Sequence, residues 1–289
     1  MTAGDVARVG VVGCGLMGSG ITEAASRAGL EVLVVERDAD ALAAGRHRVE
    51  SSLQRAVKAG KLADVAAEEA LARTTFSTDF ETLAGADLVV EAVVESEADK
   101  VEVFGILDRV VSSPEAILAS NTSSIPIMKL AMATSRPSQV IGVHFFNPVT
   151  VLPLVELVTS LLTSDETAER ARHFAEGQLG KFVIRSKDRA GFIVNALLIP
   201  YVLSAVRMLE SGFATAEDID TGMVKGCAHP MGPLALADLI GLDTTVAVAN
   251  SLYEEFKEPL YAPPPLLARM VDAGLLGRKS GRGFYDYRH

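Results

Sequence analysis

Few side chains change charge near neutral pH, and histidine is the usual one. Five histidines occur in this chain. His47 sits between Arg46 and Arg48, His173 lies in a polar helical stretch, His229 precedes Pro230 in a turn, and His289 is terminal. His144 differs, because it closes an apolar run and is followed by Phe145-Phe146-Asn147-Pro148. A histidine at the end of a strand is placed to act as a general base, although one in an apolar strand also serves structural ends. Glu156 interrupts a second apolar run, Leu154-Val155-Glu156-Leu157-Val158. A carboxylate in so apolar a segment needs a partner. If that partner is His144, the carboxylate fixes the ring tautomer and stabilises the imidazolium. A third polar group is the run Ser120-Asn121-Thr122-Ser123-Ser124. Its hydroxyls and amide suit ribose or a substrate oxygen, or the cap of a helix that Pro126 would open.

A base of this kind is useful beside a redox partner, and the first stretch of chain offers a site for one. Residues 9–18 read VGVVGCGLMG, a β-branched run leading into Gly13, Gly15 and Gly18. This predicts a strand, a tight turn and a helix that continues to about residue 28. In a dinucleotide site the first glycine allows the turn, the second lets the pyrophosphate approach, and the third lets helix and strand pack. Leu16 and Met17 would open the helix, where unpaired N–H groups face the anion. A second strand at 31–35 ends at Glu36, 18 residues past Gly18. That is close to the roughly 20 residues expected for the acid that accepts the adenosine ribose hydroxyls. The carboxylate predicts NAD, while Arg37 beside it leaves NADP open, since an arginine there can receive a 2′-phosphate.

The elements that must position these groups alternate along the chain. Apolar segments at 74–76, 88–94, 117–120, 140–146, 154–158 and 182–185 read as strands, with helices at 97–111, 125–133 and 166–179. This predicts an α/β fold, a Rossmann-like doubly wound, mostly parallel sheet with helices on both faces. A long helix at 38–60 carries an apolar stripe of Leu42, Val49, Leu53, Ala56 and Val57, and a shorter helix follows at 63–71. Arg48, Ser52 and Arg55 fall on a neighbouring face, with Lys58 and Lys61 near the end. Such a cluster is either a solvated face favoured by the helix dipole or an anion-binding surface. From residue 191 onward helices are expected at 191–210, 216–225, 233–240, 244–256 and 266–273, with no convincing strand. The expected boundary lies near residue 187. Residues 1–187 form the nucleotide domain with a helical arm at about 38–72, and 188–289 form an all-helical domain. The helix at 191–210 is too apolar for a small domain on its own, so burial against a second subunit is expected.

Composition narrows the classes of function. Net charge is −10, from 27 basic and 37 acidic residues, which argues against general nucleic-acid binding. Cys14 and Cys227 are the only cysteines, too few for a disulfide framework or a metal cluster. No metal and a reducing, cytoplasmic setting are expected. The N-terminal residues lack the basic-then-apolar pattern of a signal peptide. The longest apolar run, 196–206, contains Pro200 and Ser204 and falls short of the roughly 20 residues of a membrane span.

These residues carry a resemblance. In chain order come Gly13 to Gly18 with Ser19-Gly20-Ile21, the 120–124 run, His144-Phe145-Phe146-Asn147-Pro148 and Leu154-Val155-Glu156. Asp188-Arg189-Ala190-Gly191-Phe192-Ile193-Val194-Asn195, His229-Pro230-Met231-Gly232-Pro233 and Lys279-Ser280-Gly281-Arg282-Gly283-Phe284-Tyr285 follow. Together they resemble the L-3-hydroxyacyl-CoA dehydrogenase family nearly end to end, and most closely its compact bacterial 3-hydroxybutyryl-CoA members. No hydratase-like module accompanies them, so a free-standing enzyme is expected.

The resemblance implies an acyl-CoA substrate and roles for named residues. His144 would take the proton of the 3-hydroxyl as hydride passes from C3 to nicotinamide C4, with Glu156 as its carboxylate partner. Ser123 and Asn195 would lie near the reacting oxygen or thioester carbonyl. Glu36 would bind ribose, and Glu95, Lys100, Asn121, Ser123, Asn147 and Lys279 would lie near the cofactor. The basic helix would be the arm that receives coenzyme A, with Ser52 and Lys58 or Lys61 as contacts. The helical C-terminal domain would form a homodimer. Two departures stand out: Cys14 replaces a usual alanine, and Ala190 stands where proline is common. Competing readings are a dehydrogenase of a free β-hydroxy or sugar acid, and a non-catalytic nucleotide-binding protein.

Overall fold

Strands buried on both faces of a parallel sheet read as near-continuous Val, Leu and Ile runs. The computed structural model describes residues 5–288, and its chain divides into two compact units, one ending at Arg189 and one starting at Ala190.

The first unit runs β1 (Arg8–Val12), α1 (Leu16–Arg27), β2 (Glu31–Val35), α2 (Ala39–Lys58), α3 (Asp64–Ala72) and β3 (Thr74–Ser77). It continues with β4 (Leu88–Glu91), α4 (Glu97–Val110), β5 (Ile117–Ser120), α5 (Ile127–Ala131), β6 (Val140–Phe145), β7 (Leu154–Thr159), α6 (Asp165–Arg172) and β8 (Phe182–Lys187). The sheet has eight strands in the order β3-β2-β1-β4-β5-β6-β7-β8. Every neighbouring pair is parallel except β6 and β7, which run antiparallel. Sequence order reverses beside β1, where β2 lies on one side and β4 on the other. A crevice for ligand opens at the carboxyl ends of strands at such a switch point. The core behind it is aliphatic, including Val9, Val11, Val32, Val34, Val90, Ile117, Ile141 and Val143.

Local chemistry moves several boundaries from their expected places. β4 ends at Glu91, short of residue 94, because the Glu91 carboxylate accepts the Val93 N–H at 2.7 Å and turns the chain. α6 is capped by Ser164, which accepts the Thr167 N–H, and its last turns widen to π geometry over His173–Gln178. α2 starts at a true cap, where Asp38 accepts the Ala41 N–H at 2.7 Å.

The second unit contains α7 (Val194–Glu210), α8 (Ala216–Thr221), α9 (Pro233–Ile240), α10 (Leu242–Phe256) and α11 (Pro265–Asp272). α7 begins three residues later than expected, because Gly191 (φ +72°) and Phe192 (φ +49°) occupy the left-handed region. Its core gathers Ile199, Val202, Leu203, Val206, Leu234, Leu242, Leu252 and Leu267. Two buried aspartates secure the closing segment. Asp220 accepts the Leu234 and Ala235 N–H groups and the Tyr285 hydroxyl. Asp238 accepts the Phe284 and Tyr285 N–H groups and the Tyr287 hydroxyl. Among the described residues no single helix is long and apolar enough to cross a membrane.

Candidate active site

The glycine turn after β1 has the geometry its spacing implies. Gly13 has φ +86°, and a Cβ there would lie 2.8 Å from the Ala92 carbonyl oxygen. A Cβ on Gly18 would lie 1.8 Å from the Gly13 carbonyl oxygen, so only glycine permits this packing of α1 against the turn. A Cβ on Gly15 would meet nothing within 4 Å. That open face adjoins the start of α1, at Leu16 and Met17, where N–H groups lack helical partners. Glu36 arches over the turn: its Oε1 accepts the Cys14 N–H at 2.6 Å and its Oε2 accepts the Arg37 N–H at 3.1 Å. The Arg37 guanidinium bonds Asp38 at 3.0 Å. An open backbone cradle, a helix start and a fixed acid at the end of β2 fit a dinucleotide. The Cys14 side chain fits beneath, fully buried, and burial followed by the Glu36 charge pushes its thiol up to about 12. Such a thiol is unreactive.

The proposed base and its partner meet through strand register. In the antiparallel β6–β7 pair, His144 lies directly opposite Glu156. Directly opposed residues send their side chains to the same face, with Cβ atoms roughly 5 Å apart. The His144 Nδ1 and Glu156 Oε2 atoms are 2.8 Å apart, with the two side chains 8% and 0% exposed. With Nδ1–H donating to the carboxylate, the neutral ring carries its lone pair on Nε2. The Phe146 ring packs against the imidazole at 4.6 Å between centroids. Asn121, expected near the cofactor, uses its Oδ1 to accept the Phe145 N–H at 2.9 Å, which ties the end of β5 to the strand of the base.

The 120–124 run and the start of α5 are held by hydrogen bonds that local sequence does not announce. Asp188, far along the chain, caps α5 by accepting the Ile127 and Met128 N–H groups at 2.8 and 2.7 Å. Within the run, the Thr122 hydroxyl accepts the Ser124 and Ile125 N–H groups. Glu95 Oε1 accepts from the Thr122 and Ser124 hydroxyls and from the Ser123 and Ser124 N–H groups. Burial opposes the charge on Glu95, but Lys100 and these hydrogen bonds outweigh it and hold the carboxyl below its usual range. Lys100 is buried, 2.6 Å from Glu91 and 3.3 Å from Glu95. Glu91 carries the same signal as Glu156, a carboxylate inside a buried apolar strand, and Asp188 carries none that is local.

A cleft of about 320 Å³ lies beside the turn, between α1, α2 and the loop from Asn147 to Thr150. α2 contributes His47, Arg48, Ser51, Ser52 and Arg55. Lys58 and Lys61 lie outside that lining; the basic side chains in it are Arg48 and Arg55. Arg48 also donates to the Cys14 carbonyl at 3.3 Å. In the second unit, Asn195 stands in the first turn of α7, and Lys279 pairs with Asp243 at 2.6 Å. Among the described residues no cluster of His, Cys, Asp and Glu could hold a metal ion.

Comparison with known proteins agrees with this geometry. Residues 8–189 match the 3-hydroxyacyl-CoA dehydrogenase NAD binding domain, and residues 191–287 match the 3-hydroxyacyl-CoA dehydrogenase C-terminal domain. A 3-hydroxybutyryl-CoA dehydrogenase of Mycobacterium tuberculosis is 60% identical over 98% of this chain and 99% of its own. The human mitochondrial hydroxyacyl-coenzyme A dehydrogenase is 41% identical over 98% of this chain and 92% of its own. Among solved structures, M. tuberculosis FadB2 superposes with a TM-score of 0.97 at 59% identity, covering 98% of this chain and 99% of that one. The (S)-3-hydroxybutyryl-CoA dehydrogenase PaaH1 of Ralstonia eutropha gives 0.92 at 47% identity, over 99% and 100%. With both of its units matched, a dinucleotide cradle on one of them and a histidine–carboxylate pair at the strand ends, the chain belongs to the 3-hydroxyacyl-CoA dehydrogenase family of nicotinamide-dependent oxidoreductases.

Proposed function

We propose that this enzyme interconverts (S)-3-hydroxybutyryl-CoA and acetoacetyl-CoA with NAD, using His144 as the general base. The observation that carries this reading is the 2.8 Å bond between His144 Nδ1 and Glu156 Oε2 at the ends of β6 and β7. When bound, the nicotinamide ring supplies the hydride acceptor. His144 Nε2 takes the proton of the 3-hydroxyl, and Glu156 holds the ring in the tautomer that can do so. In the reverse direction the imidazolium returns the proton to the ketone oxygen. Ser123 and Asn195 orient the reacting oxygen and the thioester carbonyl.

The cofactor is held by the Gly13–Gly15–Gly18 turn, the N–H groups at Leu16 and Met17, and Glu36, with Glu95, Lys100, Asn121, Asn147 and Lys279 around the rest. NAD is favoured over NADP because the Glu36 carboxylate would face a 2′-phosphate, while Arg37 is engaged by Asp38. Ser52 receives coenzyme A together with Arg48 and Arg55, whose side chains line the cleft, and Lys58 and Lys61 lie further along the arm. A cytoplasmic setting suits two free thiols.

Steady-state reduction tests the reading. The highest kcat/KM is expected with acetoacetyl-CoA and NADH. NADPH, free acetoacetate, and an acetoacetyl-pantetheine thioester lacking the nucleotide are each expected to lose about tenfold or more, ~1.4 kcal/mol per factor of ten. Equal rates on the free acid would sink the thioester assignment, equal rates on the pantetheine thioester the role of the arm, and a preference for NADPH the choice of cofactor.

The same enzyme is proposed to be a homodimer through its second unit, where Leu197 and Phe213 are 73% and 79% exposed. A dimer through this unit would take such apolar side chains out of water. Light scattering is expected to give twice the 30.5 kDa chain mass, and a monomer at micromolar concentration would refute the proposal.

A further inference from the structure

Glu91 takes no part in the chemistry set out above, yet it is among the most fully buried charged groups of the first unit. It is 0% exposed, and Lys100 beside it is 1% exposed. Its Oε1 receives the Lys100 ammonium at 2.6 Å and the Val93 N–H at 2.7 Å. Its Oε2 receives the Ser120 hydroxyl at 2.6 Å. Burying an ion pair is costly, and well-packed apolar side chains would join β4 to α4 at least as firmly. What the pair does supply is placement, because charged hydrogen bonds are directional where apolar contacts are not.

The bonds lead to one destination. Ser120 closes β5 and opens the 120–124 run, and its hydroxyl also accepts the Thr122 N–H at 3.1 Å. Lys100 bridges Glu91 to Glu95 and is also 3.5 Å from the Val93 carbonyl oxygen. Glu95 in turn gathers the Ser123 and Ser124 N–H groups. Glu91 therefore grips the run twice, directly at Ser120 and indirectly at Ser123 and Ser124.

We propose that Glu91 is a positioning residue that sets the place of Ser123, through Ser120 on one side and through Lys100 and Glu95 on the other. The proposal rests on the reading of Ser123 as a substrate contact, but its effect on the loop can be measured without that reading.

The test uses the full-length enzyme carrying Glu91→Gln. Glutamine keeps the size of the side chain but cannot neutralise Lys100. Hydrogen–deuterium exchange at Ser123 and Ser124 is expected to quicken about tenfold or more, while the amides of β6 and β7 keep their wild-type rates. The kcat for acetoacetyl-CoA is expected to fall about tenfold or more at a temperature far below the melting midpoint. A double variant, Glu91→Gln with Lys100→Met, removes both buried charges. It is expected to recover the wild-type melting midpoint while the loop still exchanges fast, and it carries the exchange test if the single variant does not fold. Unchanged loop exchange in Glu91→Gln, or a double variant that regains both midpoint and slow exchange, would overturn the proposal and leave Glu91 a structural group. A wild-type enzyme inactive on acetoacetyl-CoA would overturn the substrate reading, and loop exchange would still decide the placement of Ser123.

Discussion

Replacing His144 with glutamine lowers kcat for acetoacetyl-CoA reduction by at least about a hundredfold, within the range of about 10² to 10⁴ that general acid–base catalysis supplies. Two amide variants together separate chemistry from structure. The glutamine amide nitrogen takes about the place of the imidazole Nε2, and the companion variant His144→Asn, whose amide nitrogen takes about the place of Nδ1, keeps a donor for the fully buried Glu156 carboxylate. The β6–β7 pairing is then expected to survive, with a melting midpoint near that of the wild type. What is lost is a group that can both take and return a proton near neutral pH. KM for both substrates is expected to change far less than kcat, because the missing interaction is made in the transition state. Steady-state kinetics with a melting curve on the same preparation provide the check. A near-wild-type rate would remove His144 from the mechanism.

The second large effect concerns the turn. Gly18→Ala is expected to raise the dissociation constant for NADH about a hundredfold or more, ~2.7 kcal/mol. The added methyl would sit 1.8 Å from the Gly13 carbonyl oxygen, so either α1 or the turn must move. Overpacking of this kind typically costs about 1–3 kcal/mol of stability as well. Gly15→Ala provides the contrast, since a Cβ there meets no protein atom within 4 Å. It is expected to melt like the wild type and yet to bind NADH poorly, because the methyl occupies the face proposed for the pyrophosphate. Fluorescence titration with NADH and a melting curve on both variants distinguish the two. If Gly15→Ala binds NADH normally, the pyrophosphate does not lie against the turn.

The parts legible in the sequence were those written in local pattern. The glycine spacing, the β-branched strands and the apolar stripe of α2 each reflect a periodicity that one segment carries by itself. His144 and Glu156 stood out because each is a polar group in an apolar run. Strand register was not legible, since whether residue 144 faces residue 156 depends on pairing across a loop. The reversal between β6 and β7 was invisible for the same reason: a buried strand reads alike in either direction. The capping role of Asp188 was not legible because the helix it caps starts 61 residues earlier. Glu91 interrupts an apolar strand as Glu156 does, but its partners Lys100 and Ser120 lie on other elements and are not legible from the strand alone. Which basic side chains of α2 line the cleft was not legible either, because the rotation of the helix decides it and brings Arg48 and Arg55 into the lining.

The antiparallel step between β6 and β7 also bears on how this enzyme can diverge. The loop of residues 146–153 joins the two strands, and residues gained or lost there leave the ladder intact when the pairing is kept. A single residue gained within β7 is different, because side chains alternate faces with a period of two. Such an insertion would turn Glu156 away from His144, bring an aliphatic neighbour opposite the imidazole and strand a buried carboxylate. A residue gained in the loop is therefore expected to be better tolerated than one gained in β7 ahead of Glu156, which keeps the His144–Glu156 pair only where a bulge absorbs it.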